Sequence, residues 1–253
     1  MARHGIDRFK PQTAVTDAVE PSSFSAEYRH AASTGTIDLR VLELLSARLC
    51  HELSGPIAAI SNGVELLAEE DPGLGSSPNP AFLHDAVALV SESARRARCR
   101  LQFYRFAYGF SSGSAIAGPA PHEIATGFLA ATNIIGDYAE AIRMLSPDWQ
   151  KLACNLLSVG ADALPRGGCL VLTDGPLSLE AVGEPAALSA EAREALMLAT
   201  PIADLTARTV QPYFTGLLAK ALECSLIATV EPGRVRLGVV VPRSEPGLAQ
   251  SGR

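Results

Sequence analysis

Residues 48–70 read RLCHELSGPIAAISNGVELLAEE, and the fold of the chain turns on how they are taken. Leu42, Leu45, Leu49, Leu53, Ile57, Ile60, Val64 and Leu67 recur in steps of three and four, which draws one apolar stripe along a helix from near Ile37 to about Glu70. Into that helix the sequence sets His51, the adjacent Glu52 and a Gly55-Pro56 pair. Pro56 removes a backbone donor and its ring crowds the carbonyl of Glu52, so a bend just past His51 is expected, at a cost of roughly 3 kcal/mol. At roughly 100° per residue His51 falls about 200° from both Leu49 and Leu53, on the face turned away from the stripe. It should therefore be exposed.

Past this helix, EEDPGLGSSPNP is dense in Pro, Gly and Ser and marks a loop. A second stripe runs through Leu83, Val87, Val90, Ala94, Ala97, Leu101, Tyr104 and Tyr108, with Arg95, Arg96, Arg98 and Arg100 largely off it. The two stripes predict an antiparallel helical hairpin over residues 35–110. Two helices bury little surface alone, so a second copy is expected to complete a dimeric four-helix bundle. Tyr104, Phe106 and Tyr108 are expected to pack the end of the hairpin against a second domain.

Residues 1–34 lack a sustained period and are expected to be a flexible arm, and residues 244–253 a flexible tail. GFSSGSAIAGPAPHE, residues 109–123, is small and turn-prone and sets a linker at 111–122. Residues 123–243 mix types: a helix over Pro147–Leu164, a hairpin in GGCLVLTDGPLSLEAVG, helices near Ala190–Leu198 and Pro212–Cys224, and two closing strands in LIATVEPGRVRLGVVVP around an EPGR turn. The fold class is thus α+β, a helical hairpin followed by an α/β sandwich.

The 253 residues carry a formal net charge of −6, which argues against general nucleic-acid binding, because that depends on accumulated Lys and Arg. No run approaches the roughly 18 apolar residues of a membrane span. MARHGIDRFKPQT lacks the apolar stretch of a signal peptide, so a cytoplasmic protein without membrane association is expected. The cysteines, Cys50, Cys99, Cys154, Cys169 and Cys224, are scattered singly, and neither they nor His84 and His122 stand at metal-ligand spacing.

The same-face neighbours of His51 are Ala47, Arg48, Ser54, Gly55 and Ala58, mostly small, so another protein could approach the imidazole. The residues alone leave two options open: a nucleophile standing clear for a partner, or a solvated histidine beside a tolerated kink. A neutral imidazole is a competent nucleophile near neutral pH. Glu52 is a candidate to orient it or accept its proton.

HELSGP followed by AISNGVELL resembles the H-box of histidine kinase dimerisation domains, whose phosphoacceptor histidine is followed by an acidic residue and then by a proline; His51, Glu52 and Pro56 match position for position. KLACNLLSVGADALPRGGCLVL resembles the N-box of the kinase ATPase domain. Asn155 keeps its first asparagine, but Val159 replaces the second and cannot ligate magnesium. In the place of the D-x-G-x-G box, Gly183 stands where the adenine-reading aspartate belongs, and in PYFTGLLAKALECSL only Gly216 remains of a glycine-rich phosphate loop. The second domain is thus similar to a degenerate, Bergerat-like ATPase domain.

Over residues 37–243 the chain resembles the ChpT-type histidine phosphotransferases. The resemblance implies a cytoplasmic phosphotransferase that takes a phosphoryl group from the phospho-aspartate of a hybrid histidine kinase's receiver domain onto His51 and passes it to response regulators. It implies a homodimer with no cofactor or metal of its own, the receiver supplying Mg2+. Arg48, Ser54, Gly55, Ala58 and Asn62 are the expected receiver-docking residues. Gly55 lacks the polar side chain that positions water in bifunctional kinases, so transfer without that phosphatase activity is expected. The alternatives are an active sensor kinase with a divergent ATP site and a non-catalytic adaptor dimer that binds receivers.

Overall fold

The computed structural model describes residues 37–68, 80–109 and 118–242. Two long helices open it, α1 over Leu39–Ala68 and α2 over Pro80–Tyr108. Asp38 starts α1: its Oδ1 accepts the backbone N–H of Arg40 at 2.8 Å, satisfying a donor that the helix itself leaves orphaned. The two helices pack closely enough that a Cβ on Gly63 would lie 2.5 Å from Cγ2 of Val90, so the position admits only glycine without a shift. The expected bend does not interrupt the helix, since α1 continues as α-helix through Pro56. The expected arm 1–34, the loop residues 69–79, residues 111–117 of the linker and the tail 244–253 fall outside the described residues.

The second unit of secondary structure runs α3 (Pro121–Leu129), β1 (Ile134–Asp137), α4 (Ala139–Met144), α5 (Pro147–Asp162), β2 (Gly168–Asp174), β3 (Leu177–Val182), α6 (Ala190–Leu196), a short 3-10 turn (Ile202–Asp204), α7 (Val210–Ala221), β4 (Ser225–Glu231) and β5 (Arg234–Val240). The predicted α5, α6, α7 and both hairpins are present. Three elements go beyond the sequence expectation: α3 begins at Pro121, inside the expected linker, and β1 and α4 come after it. Pro121 suits a first helical turn, where its missing N–H costs nothing.

The five strands form one sheet in the order β1-β2-β3-β5-β4. β1 lies parallel to β2, with Ile134 opposite Gly168, and the other pairings are antiparallel. Alternation sorts the faces. Leu170, Leu172, Leu179, Ala181, Val235, Leu237 and Val239 are buried beneath the helices. On the opposite face Glu180 pairs with Arg234 at 2.9 Å and Arg236 at 3.6 Å, and Thr173 bonds Ser178 at 2.7 Å. The sheet is therefore covered on one side and open on the other, where these polar groups share the face with exposed Ile135, Ile227 and Val240.

The C-terminal end of α2 is part of this core. Phe103 stacks on Phe128 of α3 with ring centroids 3.8 Å apart and planes 13° from parallel. Tyr104 meets the edge of Phe128, and Tyr108 meets Phe214 of α7 at 5.5 Å and 87°. The N-terminal half of α1 joins a second cluster, in which Val41 and Leu45 pack with Ala195, Leu205, Val210, Tyr213 and Phe214. The hairpin and the sheet domain thus share buried side chains. Replacing fully buried Phe103 by alanine leaves a ring-sized cavity in that junction; a loss of about 3–5 kcal/mol is expected in denaturant unfolding followed by circular dichroism.

Candidate functional site

The helical period that buries Leu45 and half-buries Leu49, Leu53 and Ile60 turns a different strip of α1 to solvent. His51 is exposed on that strip, with Ser54, Gly55, Ala58 and Asn62 exposed along the same face. Ser54 commits its hydroxyl to the helix, donating to the Cys50 carbonyl at 2.7 Å. A Cβ built on Gly55 would meet no atom within 4 Å. No packing demands glycine there, and in mid-helix it costs about 1 kcal/mol relative to alanine. What it supplies is open space at the shoulder of His51.

Two candidates from the sequence are engaged inside the chain. Arg48, expected on the docking face, has a side chain only 10% exposed, and its Nη2 donates to Asp162 Oδ2 at 2.7 Å and Oδ1 at 3.0 Å. Burial alone would lower the pKa of its guanidinium, but Asp162 and the phenols of Tyr104 and Tyr108 outweigh it, so the net shift is upward. Glu52 is held by Arg100 of α2, in a pair partly buried on both sides. Its carboxylate is thereby committed to the neighbouring helix rather than left free for the imidazole. Of the other α2 arginines, Arg95 and Arg96 both hold Glu92, whose carboxyl falls to about 2 through their hydrogen bonds.

The positions where the resemblance would seek nucleotide chemistry carry packing instead. Asn155 is fully buried and its amide is fully employed: Nδ2 donates to the carbonyls of Ala107 at 3.0 Å and Lys151 at 2.9 Å, and Oδ1 accepts from Gln211 Nε2 at 3.0 Å. Tyr108 Oη in turn donates to Gln211 Oε1. A Cβ on Gly183 would lie 2.7 Å from the Gly167 carbonyl, so an aspartate has no room there. On Gly216 it would lie 2.4 Å from the Leu196 carbonyl, which makes that glycine the contact point of α6 and α7. Among the described residues no group of three or more His, Cys, Asp or Glu gathers as a metal site, and no helix is long and apolar enough to cross a membrane.

Comparison with known proteins meets this geometry from both halves. A family model for the histidine phosphotransferase C-terminal domain matches residues 121–232, from α3 through β4. The protein phosphotransferase ChpT of Brucella abortus (strain 2308) is 35% identical over 206 residues, spanning 74% of this chain and 90% of that protein. The chain belongs to the ChpT family of protein phosphotransferases. The solved structure of a bacterial phosphotransferase superposes on this ChpT-family chain with a TM-score of 0.61 at 28% identity, over 81% of this chain and 97% of that one. The histidine kinase AdeS of Acinetobacter baumannii reaches a TM-score of only 0.35 at 10% identity, over 77% and 98% of the two chains, too slight a likeness to carry an argument.

The α1 face from His51 to Asn62 is thus the candidate site, and at its sides Arg48 is paired to α5 and Glu52 to α2. Because the Gly55 position is open, a Gly55→Ala variant is expected to stabilise the protein by about 0.5–1 kcal/mol, read as a raised melting temperature.

Proposed function

We propose that this ChpT-family phosphotransferase is a phosphorelay intermediate with His51 as its phosphoacceptor. The observation that carries the proposal is an exposed imidazole on a helix face of small side chains, with open space over Gly55. A lone pair on one nitrogen of the neutral imidazole attacks the phosphorus of a receiver's aspartyl phosphate. The N–P bond forms as the P–O bond to the aspartate breaks, and the carboxylate leaves with the electron pair. The reverse attack, by the carboxylate of a response regulator on phospho-His51, passes the group on. Mg2+ enters with the receiver, which uses it to neutralise the phosphoryl oxygens.

A degenerate ATPase-like second domain that takes no part in ATP chemistry is supported by the committed amide of Asn155 and by the lack of space at Gly183. Transfer without phosphatase activity is supported by the bare Gly55. In the test, wild type and His51→Ala are each mixed with a radiolabelled phospho-receiver and, separately, with labelled ATP. Label is expected on wild type from the receiver alone and never on His51→Ala. Label from ATP would make the protein a kinase, and label from neither source an adaptor.

A homodimer is supported by what the hairpin leaves uncovered. On α1 Ile57 and Val64, and on α2 Val87 and Leu101, each expose between 51% and 53% of their surface, and exposed Ala94 lies between the α2 pair. Val87, Ala94 and Leu101 are spaced by sevens, while Leu83, Val90 and Ala97, also spaced by sevens, are partly buried. One heptad position faces α1 and the other faces outward, which is the seam a second hairpin fills in a four-helix bundle. Light scattering is expected to give the mass of a dimer for wild type and of a monomer for Leu101→Glu; a monomeric wild type at micromolar concentration would remove the bundle.

A further inference from the structure

We propose that Arg48 and Asp162 form a positioning lock, fixing the second domain at one angle beside His51 so that an incoming receiver meets the imidazole and the second domain in register. The proposal rests on His51 being the phosphoacceptor and concerns how the protein presents it.

Arg48 stands one helical turn before His51 on the same side of α1, yet its side chain turns inward across the junction. Its partner Asp162 is the last residue of α5, 114 residues further along the chain. At a helix C-terminus the exposed carbonyls already concentrate negative charge, so a carboxylate there is locally unfavourable. The Asp162 side chain is also 45% exposed and has water at hand. Local structure gives no reason for an acid at this position; Arg48 gives one.

The arginine side is equally costly. A guanidinium this deeply buried loses hydration, and its Nε has no hydrogen-bond partner among the described residues. A buried ion pair adds little net stability and is often matched by apolar side chains of similar volume, whereas it does specify one geometry. Here it specifies the angle between α1 at the His51 turn and the end of α5. Glu52, the residue after His51, makes a second ion pair to Arg100 of α2. The histidine is therefore flanked by one pair reaching α5 and one reaching α2. Between the helices and the second domain lies a cleft of about 310 Å³ whose wall includes Glu52, Arg100, Asn133, Asp162 and Arg166. The lock contributes Asp162 to that wall.

The experiment separates the reactivity of His51 from receiver-dependent transfer. Phosphoramidate is small enough to reach the imidazole directly: the N–P bond to His51 forms as its own P–N bond breaks and ammonia leaves. Full-length wild type, Asp162→Asn, Asp162→Glu and Arg48→Met are charged with phosphoramidate and, separately, with a phosphorylated receiver chosen because it charges the wild type. Asp162→Asn is expected to react with phosphoramidate at the wild-type rate while its receiver-dependent kcat/KM falls roughly 10- to 100-fold, the scale on which small misplacements cost rate. Asp162→Glu, which keeps the charge, is expected to recover most of that loss. Arg48→Met keeps the buried stem and leaves Asp162 to water, so it folds even if Asp162→Asn does not, and it is expected to reproduce the receiver-dependent loss. Equal losses with both donors, or no loss with either, would overturn the lock alone. A wild type that takes no label at His51 from phosphoramidate or receiver would overturn the phosphoacceptor assignment beneath it.

Discussion

The stack of Phe103 on Phe128, 3.8 Å between ring centroids, is the contact on which the rest of the architecture depends. It lies where the last turns of α2 cease to be half of a hairpin and become one side of the sheet domain's core. Ala107 one turn later is fully buried, and its carbonyl is held by Asn155, so side chain and backbone of the same helix are both anchored. A two-helix hairpin has too little interior to define itself. Anchored in this way, its free surface becomes a fixed surface.

That surface is divided among three jobs around the helix axis. One side of α1 faces α2 and the sheet domain, through Val41, Leu45 and Gly63. Another carries Ile57 and Val64, which with Val87, Ala94 and Leu101 form exposed apolar rows. The remaining strip, His51 to Asn62, is small and polar. The 3.6-residue period keeps the exposed imidazole apart from both apolar sides.

What could be read from sequence was what local periodicity encodes. The exposure of His51, the two helices, the 168–182 hairpin and the EPGR turn follow from spacings within a few residues. β1 could not be read in this way, because four residues with three exposed show no alternation, and its existence depends on Ile134 meeting Gly168. Arg48 was misplaced for a different reason. A helical projection gives the direction of Cβ, whereas an arginine side chain is long enough to curl around the helix toward a distant carboxylate. Glu52 follows the same logic with Arg100. A usable signal for the first pair was present in Asp162, an acid at the end of a helix, which asks for a cation from elsewhere. The Asn155–Gln211–Tyr108 network carried no such signal, since a resemblance to the N-box motif does not say which buried groups the amide bonds.

That network sets a condition on any ligand that would engage Asn155. To engage the amide of Asn155, a ligand must displace the carbonyl of Ala107 and the side chain of Gln211, both fully buried. Losing those bonds removes the polar tie of the foot of α2 to α5 and α7 and leaves the aromatic contacts of Phe103 and Tyr108 to hold the hairpin. A ligand on that amide and the intact polar tie are thus alternatives at one joint. The amide of Asn155 works as a fastener between helices, and engaging it elsewhere means unfastening them.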